Sequence, residues 1–285
     1  MFAIIGAVIV LVSVVGGYML EHGNLHVLFQ PVELLIIGGA AAGAFIISNP
    51  MKIIKATIGG FMKILGGKAY GKQDYLEILL LLSEIFTKIR KEGLVSIEAD
   101  VDRPEDSKIF SKYPKFLKNH HAVVLVADTL RTVMTTSIAP HELEALLDNE
   151  LESVHEEELA PSKAITNMAD AMPALGIVAA VLGVVITMGK MKEPPEVLGH
   201  SIGAALVGTF LGVLLSYGFV GPLGKNLEHI VSEDKEFLNV LKVGIIAFVG
   251  GAAPQIAVEF ARRVVPGHVK PSFPEVEEAI RALKK

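Results

Sequence analysis

The chain has 285 residues, of which 51% are hydrophobic and only 20% charged, and its mean hydropathy is +0.51. A water-soluble chain of this size carries nearer about one quarter charged residues, so the apolar excess must be gathered into segments that leave water. The net charge of −5 offers no footing for nucleic acid, and the absence of cysteine removes disulfides and thiolate metal sites, in keeping with soluble mass in a reducing compartment.

The first apolar run, Phe2 to Leu20, follows a start with no basic region, and no small-residue cleavage site precedes Glu21, so it is expected to stay on the chain. Three more runs follow: Val32 to Ser48, Ala171 to Met188 and Ser201 to Val220. Each is close to the roughly 17 to 25 residues that cross a hydrocarbon core of about 30 Å, which predicts an all-α protein with four transmembrane helices. The spans are read as holding no ionisable proton carrier of their own, so the carrier is expected on a partner. Between the first two, His22 and His26 have metal-ligand spacing for a helix, but Gly23-Asn24 favours a turn.

After the second span, lysines alternate with Ile53, Ile54, Ile58 and Phe61 over Met51 to Leu65, a pattern for a helix at headgroup level that Gly66-Gly67 ends. Gly66 to Lys72 has the spacing of a phosphate-binding loop, yet Gln73 replaces the metal-binding hydroxyl and no strand leads in, so nucleotide binding is set aside. Asp74 is placed as the cap of a helix over Tyr75 to Glu92, with Lys88, Arg90 and Lys91 in its last turn before Gly93. A helix over Val123 to Ser137 is expected to end at Ala139-Pro140, and His141 to Leu159 is acidic with a packed stripe at Leu143, Leu147, Leu151 and Val154. Beyond the fourth span, Leu227, Ile230, Leu238 and Leu241 continue it as a long helix. The run Val243 to Ala253 is too short to span, and Ser272 with Glu275 opens a last helix, Phe273 to Leu283.

The organisation is therefore transmembrane helices one and two in 1–48, a cytoplasmic helical domain in 49–170, transmembrane helices three and four in 171–222 and C-terminal cytoplasmic helices in 223–285. Orientation follows from the lysines. The loop Glu21 to Pro31 has none, the loop between the last two spans has Lys190 and Lys192, and the segment after span two carries Lys52, Lys55, Lys63, Lys68 and Lys72. The positive-inside rule then puts both termini in the cytoplasm.

Small residues at i, i+4, namely Gly39/Gly43, Gly176/Ala180, Gly199/Gly203 and Gly208/Gly212, allow close helix contact in a bilayer; for Gly39/Gly43 ordinary packing within the chain is expected. Thr209, Gly212 and Ser216 form a narrow polar stripe with Tyr217 beside it, serving either another helix's polar group or their own i−4 carbonyls. Pro173 and Pro222 lie at the ends of spans three and four, as punctuation or as hinges. Glu156-Glu157-Glu158 reads as a solvated face, and no nucleophile or cofactor pattern is found, so no enzyme is expected and no cofactor.

Pro173 to Gly183, then Val207-Gly208-Thr209-Phe210-Leu211-Gly212, Tyr217-Gly218-Phe219 and Pro222, closely resemble the MotA family of flagellar-motor stator subunits. Arg90 with Glu98, the stretch Pro254 to Phe260 and Pro271-Ser272-Phe273 extend the resemblance over essentially the whole length. The resemblance implies a subunit of the bacterial inner membrane, multi-pass, assembled as a homo-oligomeric ring, read as a pentamer, around transmembrane helices of MotB. The MotB aspartate would carry the ion, and proton flow would drive torque on the rotor protein FliG. By the same resemblance Thr209 matches the polar position beside that aspartate, with Ala180 and Tyr217 bordering the path. Arg90 and Glu98, and more weakly Glu150, match rotor-facing charges, and Pro173 and Pro222 match the coupling prolines. Sodium-driven relatives have a threonine where Ala180 stands, which implies H+ as the translocated ion. A TolQ/ExbB-like energiser of envelope transport is the alternative, and a self-sufficient secondary transporter is disfavoured by the expected lack of a carboxylate in the spans.

Overall fold

The computed structural model describes residues 2–66 and 70–283, and the described regular structure is entirely helical. In chain order the helices are α1 (Phe2–Leu20), α2 (Leu25–Leu28), α3 (Pro31–Ser48), α4 (Met51–Gly66), α5 (Lys72–Glu92), α6 (Glu98–Asp102), α7 (Pro114–Lys118), α8 (His120–Thr135), α9 (Pro140–Met188), α10 (Pro195–Val213), α11 (Gly221–Val249), α12 (Pro254–Arg263) and α13 (Phe273–Leu283). They fall into two compact units, one from Met1–Lys68 with Glu158–Ile230 and the other from Ala69–Glu157 with Val231–Lys285.

Among the described residues, four helical stretches are long and apolar enough to cross a membrane: Phe2–Leu20, Leu25–Ser48, Pro140–Met188 and Pro195–Val249. The expected second span is extended at its start by α2, where Asn24 accepts the His26 backbone N–H at 3.0 Å. That cap makes Gly23-Asn24 the turn the sequence predicts, so the two histidines do not share one continuous helix. Helix α3 turns Glu33, Ile37 and Ala41 inward, while α1 buries no residue in its own chain. Surface of this kind suits lipid or neighbouring helices, since hydrocarbon solvates an apolar side chain as well as a protein core does.

Helix α4 matches the expected amphipathic helix, with Ile64 buried against Ile165 and Leu227 and with Met51, Ile58 and Met62 exposed. Its predicted stop at Gly66-Gly67 is only half visible, because Gly67 lies outside the described residues, as do Lys68 and Ala69 of the loop-like stretch up to Lys72.

The second unit is built on α5. Tyr75, Ile78, Leu79, Leu81, Leu82, Ile85 and Phe86 pack with residues of α8, α9, α11 and α12, and Phe86 stacks on Phe248 with ring centroids 4.3 Å apart. Asp74 does not cap this helix from outside as predicted. It sits in the first turn and reaches back to the Gly71 N–H at 2.8 Å, because Lys72 and Gln73 already adopt helical backbone. Two other boundaries move for similar reasons. Asn119 accepts the Ala122 N–H at 3.1 Å, which starts α8 ahead of Val123. Pro140 opens the next helix instead of closing the last, its missing N–H being one a first helical turn leaves unused.

Helix α9 is also longer than the sequence reading, running unbroken for 49 residues through Pro161 and Pro173. The last helix opens as predicted, with both the backbone N–H and the hydroxyl of Ser272 donating to Glu275 at 2.7 Å.

On α12, Glu259 gathers Arg262 at 2.7 and 2.8 Å and Arg263 at 2.9 Å, and Arg262 also donates to the Pro271 carbonyl at 3.1 Å. The hydrogen bond from Arg262 is the main reason that the Glu259 carboxyl is held down to about 2. A carboxyl lowered on folding stabilises the fold above its ordinary value of 4.5 and loses that contribution as pH falls through its folded value. Glu259→Gln should therefore lower the melting temperature in detergent at neutral pH, with the gap from the parent protein closing between about pH 4.5 and 2. A gap unchanged down to pH 2 would show that the carboxylate contributes nothing through its charge.

Candidate functional site

Two helices, α9 and α10, approach each other at backbone distance. A methyl carbon added at Gly176 would lie 2.8 Å from the Gly208 carbonyl oxygen, and one at Gly212 would lie 2.6 Å from the Met172 carbonyl oxygen. One at Gly183 would meet the Ala205 methyl at 2.7 Å. Such contacts are shorter than carbon atoms tolerate, so hydrogen is the largest side chain the seam accepts at these positions. In a bilayer this closeness supplies the dispersion contacts that hold helices together. The expected packing partner fails elsewhere. Nothing lies within 4 Å of a methyl carbon added at Gly39, Gly43 or Gly199, so the Gly39/Gly43 pair faces open space instead of packing within the chain.

Ala180 and Thr209 flank the seam, both half-buried. The Ala180 nitrogen is 3.1 Å from the point a methyl carbon on Gly208 would occupy, which puts the two helices in register at this level. Farther along, the helix after α10 widens into a π-helical turn over Leu214–Val220, with the Gly221 N–H bonded to the Ser216 carbonyl five residues back. Pro222 explains the widening. It has no N–H to offer and its ring crowds the carbonyl four residues earlier, so the chain opens by one residue ahead of it. Tyr217 points outward at 68% exposure, while the Ser216 hydroxyl is buried without a hydrogen-bond partner among the described residues.

Pro173 likewise deprives the Ala169 carbonyl of its helical donor. A methyl carbon on Gly221 would lie 3.9 Å from the Ala169 side chain, so the two proline-weakened stretches are neighbours across the helix pair.

One group escapes the sequence reading. Glu33, near the start of the run Val32 to Ser48, is a carboxylate within a membrane-length segment, which corrects the expectation that the spans hold none. It is 9% exposed, and its Oε2 has no hydrogen-bond partner among the described residues. Placed in the first turn of α3, it reads in sequence as an ordinary acidic helix start, which the helix dipole favours. Burial against α10 and α9 comes from the fold and has no local signature.

In the second unit Arg90 and Glu98 are both exposed, and no side-chain hydrogen bond or ion pair involves either among the described residues. What positions them is close by. Gly93, at φ 85°, caps α5 and donates to the Ile89 carbonyl at 2.9 Å, turning the chain between the two charges. Lys88 bonds Asp100 at 2.7 Å, and the Ser107 hydroxyl bonds the same carboxylate at 2.6 Å, fastening the far side of the turn. Glu150 is different. It is half-buried, and loss of water followed by repulsion from Asp128 raises its carboxyl above the ordinary range.

Residues 4–93 match the family described as Motility protein A N-terminal, and residues 117–237 match the MotA/TolQ/ExbB proton channel family. The chain is 38% identical to Motility protein A of Salmonella typhimurium over 284 residues, covering 100% of this chain and 96% of that protein. It is 39% identical to Motility protein A of Escherichia coli with the same coverage.

The chain belongs to the Motility protein A family.

Its fold agrees with that of solved family complexes at lower identity. The structure of C. jejuni MotAB aligns with a TM-score of 0.77 and 19% identity over 95% of this chain and 98% of that one. The flagellar MotAB stator complex from Bacillus subtilis aligns with a TM-score of 0.72 and 23% identity over 90% and 92%. Within a Motility protein A fold the glycine seam has a direct test. Gly212→Ala should cost about 1–3 kcal/mol through overpacking against the Met172 carbonyl, read as a fall in thermal stability of the purified protein. Unchanged stability would mean that the helices part freely at this point.

Proposed function

We propose that this chain is the MotA-type stator subunit of a bacterial flagellar motor, in which a ring of copies, read as a pentamer, surrounds MotB helices and turns proton flow into torque on FliG. The observation that carries this reading is the α9/α10 seam, whose glycines hold the helices in one register with Ala180 and Thr209 on its flank. Family membership supports reading this pair as the face turned to MotB. A neutralised carboxylate on a MotB helix would sit differently against Thr209 and the small residues beside it from an ionised one. One elementary charge crossing about 100 mV releases roughly 2.3 kcal/mol, enough to shift such a packed interface between two arrangements. The adjacent breaks at Pro173 and Pro222 are where that shift would pass toward the second unit, which we assign to the cytoplasm with both termini. The unpartnered apolar faces of α1 and α3 would meet lipid and neighbouring copies in the inner membrane.

At the rotor, Arg90 and Glu98 would act through exposed charge. Such charges contribute typically 0 to about 1 kcal/mol to a fold, so Arg90→Glu or Glu98→Lys should leave protein levels intact while motility falls, and opposite charge changes on FliG should restore part of it. Loss of the protein itself on charge reversal would place these residues in the fold instead. Recovery of motility by FliG changes also separates this reading from a TolQ/ExbB-like energiser, which has no rotor.

The translocated ion is assigned as H+. Sodium has to exchange water for several oxygen ligands, and Ala180 offers none on the flank of the seam. Motor speed should persist in sodium-free medium and collapse with the proton gradient; a speed that climbs with external sodium at fixed proton-motive force would contradict the assignment.

A further inference from the structure

The buried carboxyl of Glu33 belongs to no part of that mechanism, and its surroundings are unusual for an acid that only starts a helix. Helix α3 carries it inward between α9 and α10. A methyl carbon on Gly208 would lie 2.9 Å from Oε2, and one on Gly183 would lie 3.7 Å from Oε1. The Ala179 methyl and the Ala180 nitrogen border the same space, 3.2 and 3.1 Å from that point on Gly208. Two glycines of the seam therefore form a cradle that the carboxyl fills. At Gly208 any larger residue would strike the acid itself.

Along α9 the cradle is set in from the end of the helix. Ala180 stands eight residues before the end of α9 at Met188, about 12 Å along the axis at 1.5 Å per residue. The residues that α9 and α10 place around the carboxyl carry no titratable side chain. On the elements packed there, His26 of α2, Asp170 of α9, and Glu196 and His200 of α10 are all exposed. A carboxyl oxygen shut away from water with no donor is costly, and an ionisable residue in a membrane segment is as a rule tied to ion movement. Binding a proton would remove the charge that makes such burial costly.

We propose that Glu33 is a proton-binding carboxyl of this chain on the ion path, taking up H+ at the level of Ala180 and Thr209 in series with the carrier on MotB. The step is a plain transfer. A hydronium or water-borne proton bonds to Oε2 while its O–H bond to water breaks, and release toward the partner's carboxylate reverses it, with no other reactant. The ring would thus hold one such group per copy in addition to the carboxylates of its partner. This inference rests on the stator reading of the preceding section.

The test uses the full complex with MotB, its channel unplugged, in proteoliposomes under an imposed proton gradient. Glu33→Gln keeps the shape and removes the titration, so it should co-purify with MotB at the parent level while proton flux falls at least about tenfold. Glu33→Asp should restore part of the flux with a displaced pH profile, which a purely structural role would not produce. Parent-level flux and an unmoved pH profile in Glu33→Gln would overturn the proposal. A second measurement needs no variant. Dicyclohexylcarbodiimide couples to protonated carboxyls in apolar surroundings, and mass spectrometry of the unaltered complex should find its adduct on Glu33, declining as pH rises. Labelling of the MotB carboxylate with none on Glu33 at any pH would equally overturn it, even if Glu33→Gln failed to assemble. Absence of flux from the unaltered complex would instead fail the stator reading, and the labelling would then decide the Glu33 assignment by itself.

Discussion

Helices in a bilayer gain nothing from hiding apolar surface from each other, because lipid tails solvate leucine as well as leucine does. What holds α9 to α10 is therefore contact at backbone distance, and glycine alone permits it where Gly176 meets the Gly208 carbonyl and Gly212 meets that of Met172. The rest of the first unit follows from that approach. It sets the register of Ala180 against Gly208, it opens the cradle that receives Glu33, and it brings Ala169, whose helical donor Pro173 removes, next to the start of α11.

Rigidity and weakness alternate along this pair. The glycine seam is stiff because its backbones touch, whereas the π-helical turn over Leu214–Val220 and the carbonyl freed at Ala169 are places where helical hydrogen bonds are already rearranged or absent. In the proposed stator a change of charge felt at the seam would find its least costly deformation there. Displacement would thus concentrate at the prolines instead of spreading through packed glycines, which is what a coupling element requires.

Much of this was legible in the residues and some was not. The four spans announce themselves by length and apolarity, and Ser272 with Glu275 announces the last helix, because both signals are local. Helix boundaries at Lys72 and His120 moved, since Asp74 and Asn119 use their side chains from positions that spacing alone does not settle. The unbroken length of α9 also resists sequence reading, because proline weakens a helix without ending it when packing supports both sides. The Gly39/Gly43 pair shows the opposite failure, a packing motif with nothing of its own chain to pack against. Glu33 was missed for a related reason: an acid in a first turn is common, and only the fold of α3 against α9 and α10 makes this one a buried group.

The claim that joins these points is that the flank of the α9/α10 seam faces the MotB helices. The chain has no cysteine, so introduced thiols report without background. The most direct measurement is oxidative cross-linking in native membranes between cysteines at Ala180 or Thr209 and a cysteine walked along the transmembrane helix of MotB. Cross-links at both positions, recurring with helical period along MotB and absent from a cysteine placed at exposed Val12 of α1, are the predicted result. Cross-links from Val12 with none from Ala180 or Thr209 would place the partner on another face and contradict the account.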